Sequence, residues 1–303
     1  RVLFRSALVL LMTPGLAYFY GGMIDTKNII STMLQSFIAM GVISVVWIVV
    51  GFSLAFGTSQ GGLIGDPTTF FMFKNVLDGA PWALAPTIPL VLFAFFQLKF
   101  AIITPALITG TFAERINFKS YIIFLVLFSL LIYAPLAHWT WHPDGFLFKW
   151  GVLDFAGGTV VHMSAGFAAL AASIYLRNKS EEKVAHAPAN VPFVLLGTGL
   201  LWFGWFGFNA GSALGANPLA ASAFATTNTA SAAAGLCWVL LDAVRGKKLS
   251  ALGFCIGAVV GLVAITPAAG FVTIPSSLFI GTIAALISNI VVHWKAKTSL
   301  EDT

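Results

Sequence analysis

Charged residues are scarce in this chain. They make up 9% of its 303 residues, whereas a typical soluble domain carries about 25%. Hydrophobic residues make up 58%, and a chain this apolar cannot cover its own surface in water. This composition excludes a soluble globular domain, and a net charge of only +5 gives no indication of nucleic-acid binding.

Cysteine is also rare. The two cysteines, Cys237 and Cys255, lie in separate apolar runs, which favours small core residues over a disulfide or a metal pair. The sequence carries no recognisable nucleophile–base pair, metal-ligand cluster or phosphate-binding loop. We therefore expect neither an enzyme nor a protein that holds a cofactor or a metal.

Long apolar runs dominate instead. Each of nine runs approaches or exceeds the roughly 20 residues that a helix needs to cross a bilayer. Such runs suit helices rather than barrel strands, because a helix satisfies its own backbone polar groups in lipid. The sequence predicts an all-α integral membrane protein with spans at about 3–23, 29–57, 83–112, 120–141, 152–176, 191–211, 217–241, 249–268 and 274–294.

Positive charges fall on alternate connections between these spans. One set of connections carries eleven of the 16 Lys and Arg residues, namely Lys27, Arg115, Lys119, Arg177, Lys179, Lys183, Arg245, Lys247, Lys248, Lys295 and Lys297. The opposite set, with the N-terminus, carries Arg1, Arg5, Lys74 and Lys149. The positive-inside rule then predicts an external N-terminus and a cytoplasmic residue 303.

Glycines recur at spacings that favour close helix packing. Small residues on one helix face let two backbones approach in a membrane. We expect this role for Gly157, Gly158 and Gly166, for Gly204, Gly207 and Gly211, and for Gly253, Gly257 and Gly261.

Two ionisable residues mark the fifth span. Asp154 precedes a run of small residues, where its carboxylate can cap a helix through the amides of Ala156 or Gly157; direct ion binding is the alternative. His162 lies about mid-depth in the membrane, where an idle titratable group is costly. It either lines a pore and handles protons or is a core histidine bonded to a neighbouring hydroxyl or carbonyl.

Aromatic residues crowd the stretches 95–100 and 201–212. Their ring faces could form a cation–π site for a partly dehydrated cation, with Ser212 as a hydroxyl acceptor beside it. A lipid-facing aromatic belt is the alternative. His138 and His142, at the outer end of the fourth span, are expected at the membrane interface.

Several stretches together resemble the ammonium transporter family, the Amt/Mep/Rh proteins, and in particular its bacterial Amt branch. The most specific is Asp-Phe-Ala-Gly-Gly-Thr-Val-Val-His at 154–162, followed by Trp-Phe-Gly-Phe-Asn-Ala-Gly-Ser at 205–212. The others are Gly-Leu-Ala-Tyr-Phe-Tyr-Gly-Gly-Met at 15–23, Lys-Asn at 27–28, Ile-Thr-Pro-Ala-Leu-Ile at 103–108 and Ala-Glu-Arg-Ile at 113–116.

The resemblance implies a role for each candidate residue. Trp141, Phe100 and Ser212 would form an outer site that recruits ammonium. Phe100 and Phe208 would be stacked rings that close the pore beneath it, with Phe96 nearby. His162 would be the first of two pore histidines and would relay protons, and Asp154 would be a structural and electrostatic support.

The resemblance also implies an architecture and partners. The family fold has eleven spans in two inverted halves and assembles as a trimer in the plasma or inner membrane, often with a PII-type regulatory protein. The second pore histidine belongs to a tenth span, so residues 1–303 are expected to be one transmembrane domain truncated before that span. The expected function is ammonium or ammonia transport.

Lys99 departs from the family pattern. It directly precedes Phe100, where a lysine facing the pore would repel ammonium, whereas a lysine that snorkels elsewhere would be harmless. A blocked pore would still permit binding. The alternative function is therefore an Amt-like ammonium sensor joined to a cytoplasmic signalling domain.

Overall fold

The computed structural model describes residues 2–113, 115–176, 188–295 and 298. Glu114, the loop cations Arg177, Lys179 and Lys183, and the end predicted to be cytoplasmic at residue 303 lie outside the described residues.

Helices account for most of the described chain. They are α1 (Val2–Met23), α2 (Ile29–Val46), α3 (Phe52–Phe56), α4 (Leu90–Ala106), α5 (Thr109–Phe112), α6 (Phe118–Phe128), α7 (Ala134–Trp141), α8 (Phe146–Lys149), α9 (Ser164–Tyr175), α10 (Val191–Gly211), α11 (Pro218–Val244), α12 (Ala251–Ile265) and α13 (Ile274–Lys295). A short antiparallel pair, β1 (Ser59–Gln60) and β2 (Ile64–Gly65), follows α3, with Ser59 opposite Gly65.

The predicted helical spans are confirmed in number and position. Within the described residues, 8 helical stretches are long and apolar enough to cross a membrane. The ninth prediction corresponds to α12, an apolar helix of 15 residues.

Two of the predicted boundaries are wrong. The run at 83–112 becomes helical only at Leu90, because Pro86 and Pro89 disfavour helix in the residues before them and Pro89 itself is extended, with ψ 138°. The run at 152–176 becomes helical only at Gly158, after an irregular turn. Hydropathy alone cannot locate these starts, since both irregular segments are apolar.

Within the described chain, three helical segments are wound more loosely than an α-helix. They are the π-helical turns Trp47–Gly51, Ser129–Tyr133 and Gly158–Met163. The third contains His162. Such turns are frequent at functional sites, and the sequence pattern gave no indication of them.

Polar side chains define where several helices begin. Asn117, Asn190, Asn217 and Ser250 each accept a hydrogen bond from the backbone N–H three residues later. These bonds satisfy donors that the first turn of a helix leaves free.

Glycines bring neighbouring helices together, largely as predicted. Gly207 of α10 faces α1 so closely that an added Cβ would lie 2.6 Å from Cβ of Leu8. Gly257 of α12 would meet Cβ of Trp238 at 2.6 Å. The prediction for Gly166 is wrong, because among the described residues no atom beyond its chain neighbours and its own helix backbone lies within 4 Å of a Cβ built there.

Candidate functional site

Asp154 organises the start of the helix that follows it. Its Oδ1 accepts hydrogen bonds from the backbone N–H groups of Gly157 and Gly158, at 2.7 and 2.6 Å. Its Oδ2 accepts bonds from the N–H groups of Thr159 and Val160, at 2.9 and 3.2 Å. One buried carboxylate therefore satisfies four donors that the helix start cannot satisfy itself.

The turn at Gly157 depends on glycine. Its φ of 111° is left-handed, which glycine adopts without steric penalty. The sequence suggested two backbone amides as partners of the Asp154 carboxylate. The N–H of Gly157 donates a hydrogen bond to it, whereas no such bond from the N–H of Ala156 is found in the described residues. The backbone oxygen of Asp154 also accepts a bond from Nε1 of Trp141, at 3.1 Å. Asp154 thus fixes both a helix start and an indole ring.

A cavity of about 210 Å³ lies where α4 begins and α7 ends. Its walls include Trp141, Phe100 and Ser212, so the structure brings together the three residues expected to form the outer site. We call this cavity the vestibule.

Ser212 offers an oxygen to the vestibule. Its hydroxyl donates its hydrogen to the backbone oxygen of Phe208, at 2.8 Å. With the hydrogen engaged there, the remaining lone pairs of Oγ can accept a hydrogen bond from a donor in the cavity.

Aromatic rings pack against one another at Phe100, which lines the vestibule. The rings of Phe100 and Phe208 stack with centroids 4.1 Å apart and planes inclined by 22°. Phe96 meets Phe100 edge-on at 4.9 Å, and Trp141 meets Phe100 edge-on at 5.9 Å. Phe100, Phe208 and Phe96 therefore form one contiguous cluster.

His162 contacts one ring of this aromatic stack. Its ring is 5.9 Å from Phe208 and stacks on the indole of Trp205 at 5.3 Å, with planes inclined by 19°. The side chain is half-buried. Its Nε2 is buried, and none of the described residues hydrogen-bonds to it. This atom does not have the hydroxyl or carbonyl partner that the core-histidine alternative requires.

Lys99 points away from the vestibule. Its ammonium group lies 5.2 Å from the ring centroid of Phe95, one helical turn earlier, and Phe95 is 37% exposed. Lys99 is half-buried and is not part of the described vestibule lining, although Phe100 beside it is.

The structure buries His138 and His142, which were expected at the interface with lipid headgroups. Their rings stack at 4.4 Å, and they are 0% and 7% exposed. His138 contacts Oγ of Ser59 at 2.8 Å and the backbone oxygen of Ala55 at 3.0 Å. His138 therefore ties α7 to α3 and β1.

Sequence reasoning missed several residues of the vestibule wall. Trp82 comes from the long connection before α4, and Phe155 from the turn after Asp154. Gln97 and Thr140 also line the cavity. Gln97 lies in the aromatic-rich stretch 95–100, but only the helix geometry shows that Gln97 and Phe100 lie on the same face of α4.

Comparison with known proteins identifies the chain's relatives. A family model described as Ammonium Transporter Family matches residues 2–303. The chain belongs to the ammonium transporter family. The predicted resemblance is confirmed over the whole chain, and the family is one of transporters rather than enzymes.

Known proteins are similar to this chain in sequence and in structure. An ammonium transporter of Bacillus subtilis is 46% identical, over 94% of this chain and 69% of that protein. The crystal structure of Candida albicans Mep2 matches with a TM-score of 0.93 and 37% identity, over 99% of this chain and 67% of that one. A structure titled Sensor Amt Protein matches with a TM-score of 0.90 and 35% identity, over 99% and 76%.

Proposed function

We propose that the protein is an ammonium transporter that takes ammonium into the vestibule and conducts ammonia past His162. One observation carries this proposal: an unbroken series of ring contacts runs from the cavity to the histidine. Trp141 contacts Phe100 at 5.9 Å, Phe100 contacts Phe208 at 4.1 Å, and Phe208 contacts His162 at 5.9 Å.

The vestibule suits recruitment of ammonium. The faces of Phe100 and Trp141 attract a cation, and the oxygen of Ser212 accepts a directed hydrogen bond. Ammonium and potassium have similar size and charge, so an aperture alone does not separate them. Ammonium donates hydrogen bonds whereas potassium does not, and the hydroxyl exploits that difference.

The aromatic stack suits passage of a neutral molecule. A bare ion between the rings of Phe100 and Phe208 would exchange its whole hydration shell for ring faces alone, which is costly. Ammonium avoids this cost because it can leave its proton behind, whereas potassium cannot lose its charge. On the far side, Nε2 of His162 can hold a proton or bond to ammonia.

Asp154 acts as a support in this proposal. Its oxygens already accept four backbone hydrogen bonds, and its backbone oxygen orients Trp141. Asp154 also lines the vestibule, and in this proposal it does not bind the cation directly.

Uptake into proteoliposomes tests the proposal. The complete protein should take up labelled methylammonium, and ammonium should compete while equal potassium should not. A current that accompanies uptake would indicate that the proton also crosses. Absence of saturable methylammonium uptake by correctly inserted protein would contradict the proposal.

We also propose the setting in which this transport occurs. Residues 1–303 belong to one transmembrane domain of the plasma or inner membrane, with the N-terminus outside and residue 303 cytoplasmic. The domain assembles as a homotrimer, and a PII-type protein regulates it. Cysteine labelling from each side tests the orientation, native mass spectrometry tests the trimer, and co-purification with a PII-type protein tests the regulation.

The second candidate function is ammonium sensing. Similarity to the structure titled Sensor Amt Protein favours it, but Lys99 does not, because its charge lies over Phe95 and leaves the vestibule open. The sequence that follows Thr303 in the open reading frame separates the two candidates. A signalling domain there would favour sensing, and a short tail would favour transport.

A further inference from the structure

Arg5 of α1 binds the connection between α10 and α11, residues 212–217. Its Nη1 donates a hydrogen bond to the backbone oxygen of Gly215, at 2.7 Å, and approaches that of Ala210 to 3.5 Å. Ala210 belongs to the last turn of α10, where backbone oxygens have no donor within the helix and where the helix dipole favours a cation. These two carbonyl groups precede and follow Ser212, so one guanidinium group contacts the chain on both sides of that residue.

The connection that Arg5 binds is strained. Leu214 has a φ of 49°, a left-handed conformation that is costly for residues other than glycine. Such a conformation persists only where the surrounding contacts enforce it. The N–H of Leu214 donates to the backbone oxygen of Gly211, at 2.9 Å, and Arg5 binds the carbonyl group of the next residue, Gly215. The bond from Arg5 is therefore one of the contacts that hold the connection in this form.

The same connection forms part of the vestibule wall. Ser212 and Leu214 both line the cavity. Leu214 and Phe96 also line a smaller cavity of about 10 Å³, which Arg5 lines as well, whereas Arg5 is not part of the described vestibule lining. Arg5 thus contacts the wall from a second cavity, and its charge does not line the space in which ammonium is recruited.

We propose that Arg5 is a positioning residue for the outer site, which keeps Oγ of Ser212 where it can accept a hydrogen bond from ammonium. The bond from the hydroxyl to the backbone oxygen of Phe208 orients the side chain, and Arg5 fixes the backbone that carries it. An acceptor that is already ordered binds its donor at a smaller cost in conformational entropy. This role rests on the proposed function, since it concerns recruitment of the same substrate.

Arg5→Met tests this role, because methionine keeps much of the apolar stem but donates no hydrogen bond. In the complete protein, we expect the KM of methylammonium uptake to rise about three- to tenfold, which is part or all of the contribution of one hydrogen bond to a charged group. The maximal rate should stay nearly constant, because the Phe100–Phe208 stack is unchanged. Arg5→Lys, which restores a charged donor, should recover part of the lost affinity.

A double-mutant cycle with Ser212→Ala shows whether Arg5 acts through Ser212. Ser212→Ala removes the acceptor that Arg5 is proposed to position. The combined variant should therefore have a KM close to that of Ser212→Ala alone, since the two residues are coupled. Independent effects of the two substitutions, which would multiply in the KM of the combined variant, would overturn the proposal.

Tyr20→Phe is the matched control. Tyr20 is also on α1, and its hydroxyl donates to the backbone oxygen of Leu107 at 2.7 Å, the same distance as in the bond from Arg5 to Gly215. Tyr20 is not part of the described vestibule lining. Both Tyr20→Phe and Arg5→Met should lower the unfolding temperature, but Tyr20→Phe should leave the KM unchanged. An equal rise of the KM in both variants would overturn the proposal, because loosened helix packing would then be the cause.

Binding measured without transport separates this role from the transport proposal. The measure is the rise in unfolding temperature that ammonium chloride produces relative to sodium chloride at equal ionic strength. A smaller rise in Arg5→Met than in the wild-type protein supports the role of Arg5, and an undiminished rise overturns that role alone. A wild-type protein that shows neither this rise nor uptake would contradict the proposed function, and the role of Arg5 with it.

Discussion

The rings of Phe100 and Phe208 stack at 4.1 Å between the vestibule and His162, one ring from α4 and the other from α10. Both side chains are almost completely buried, at 1% and 0% exposure. On the proposed path this buried pair stands between Trp141 and His162, and its removal should have consequences that other aromatic pairs do not share.

Phe208→Ala should open the floor of the vestibule. We expect hydrated cations to leak, so that the preference for methylammonium over potassium falls, and we expect a stability loss of about 3–5 kcal/mol from the buried cavity. Flux assays with both ions measure the first effect, and thermal unfolding measures the second.

Phe206→Ala is the control for that experiment. Phe206 also stacks on another ring, that of Phe224 at 4.2 Å, but Phe224 is 48% exposed and neither residue lines the vestibule within the described chain. An equal loss of selectivity in both variants would show that the Phe100–Phe208 stack is not the barrier.

Asp154→Ala should destabilise the protein more than Asp154→Asn. Alanine leaves four buried N–H groups without their acceptor, whereas the amide oxygen of asparagine can still accept some of these bonds. Loss of a capping side chain typically costs about 0.5–2 kcal/mol, and here we expect the upper end. Thermal unfolding in detergent checks this order, and equal stabilities would contradict the role of Asp154 as a support.

Gly157→Ala should disturb the entry of the fifth span. Alanine disfavours a φ of 111°, and its Cβ would lie 2.7 Å from Cγ2 of Val161. We expect lower stability and lower uptake. Gly166→Ala is the matched control, because a Cβ there meets open space and alanine favours helix over glycine.

Lys99→Met should leave ammonium selectivity unchanged. The ammonium group of Lys99 lies over Phe95 rather than in the vestibule, so its charge is not in the path of the substrate. Methionine also removes the cost of a half-buried charge in a membrane span, so stability should stay the same or increase. A marked rise in ammonium uptake by this variant would show that the lysine obstructs the path after all.

Sequence reasoning predicted the spans well because hydropathy reports directly on which segments can lie in lipid. It grouped Trp141, Phe100 and Ser212 through the family resemblance, and these three residues, far apart in sequence, line one cavity. It missed the irregular turn before Gly158 and the π-helical turn that carries His162, because neither has a distinctive composition. It also missed Trp82 and Thr140, since the wall of a cavity depends on how loops and helix faces pack.

The most direct test of the account measures ammonium and potassium transport by the complete protein, in its wild-type form and as the His162→Ala variant. The account predicts that the variant loses the strong preference for ammonium, because no imidazole remains behind the aromatic stack to handle the proton. His293→Ala, which removes a histidine from the last turn of α13, should retain that preference. A His162→Ala variant with wild-type selectivity over potassium would contradict the account.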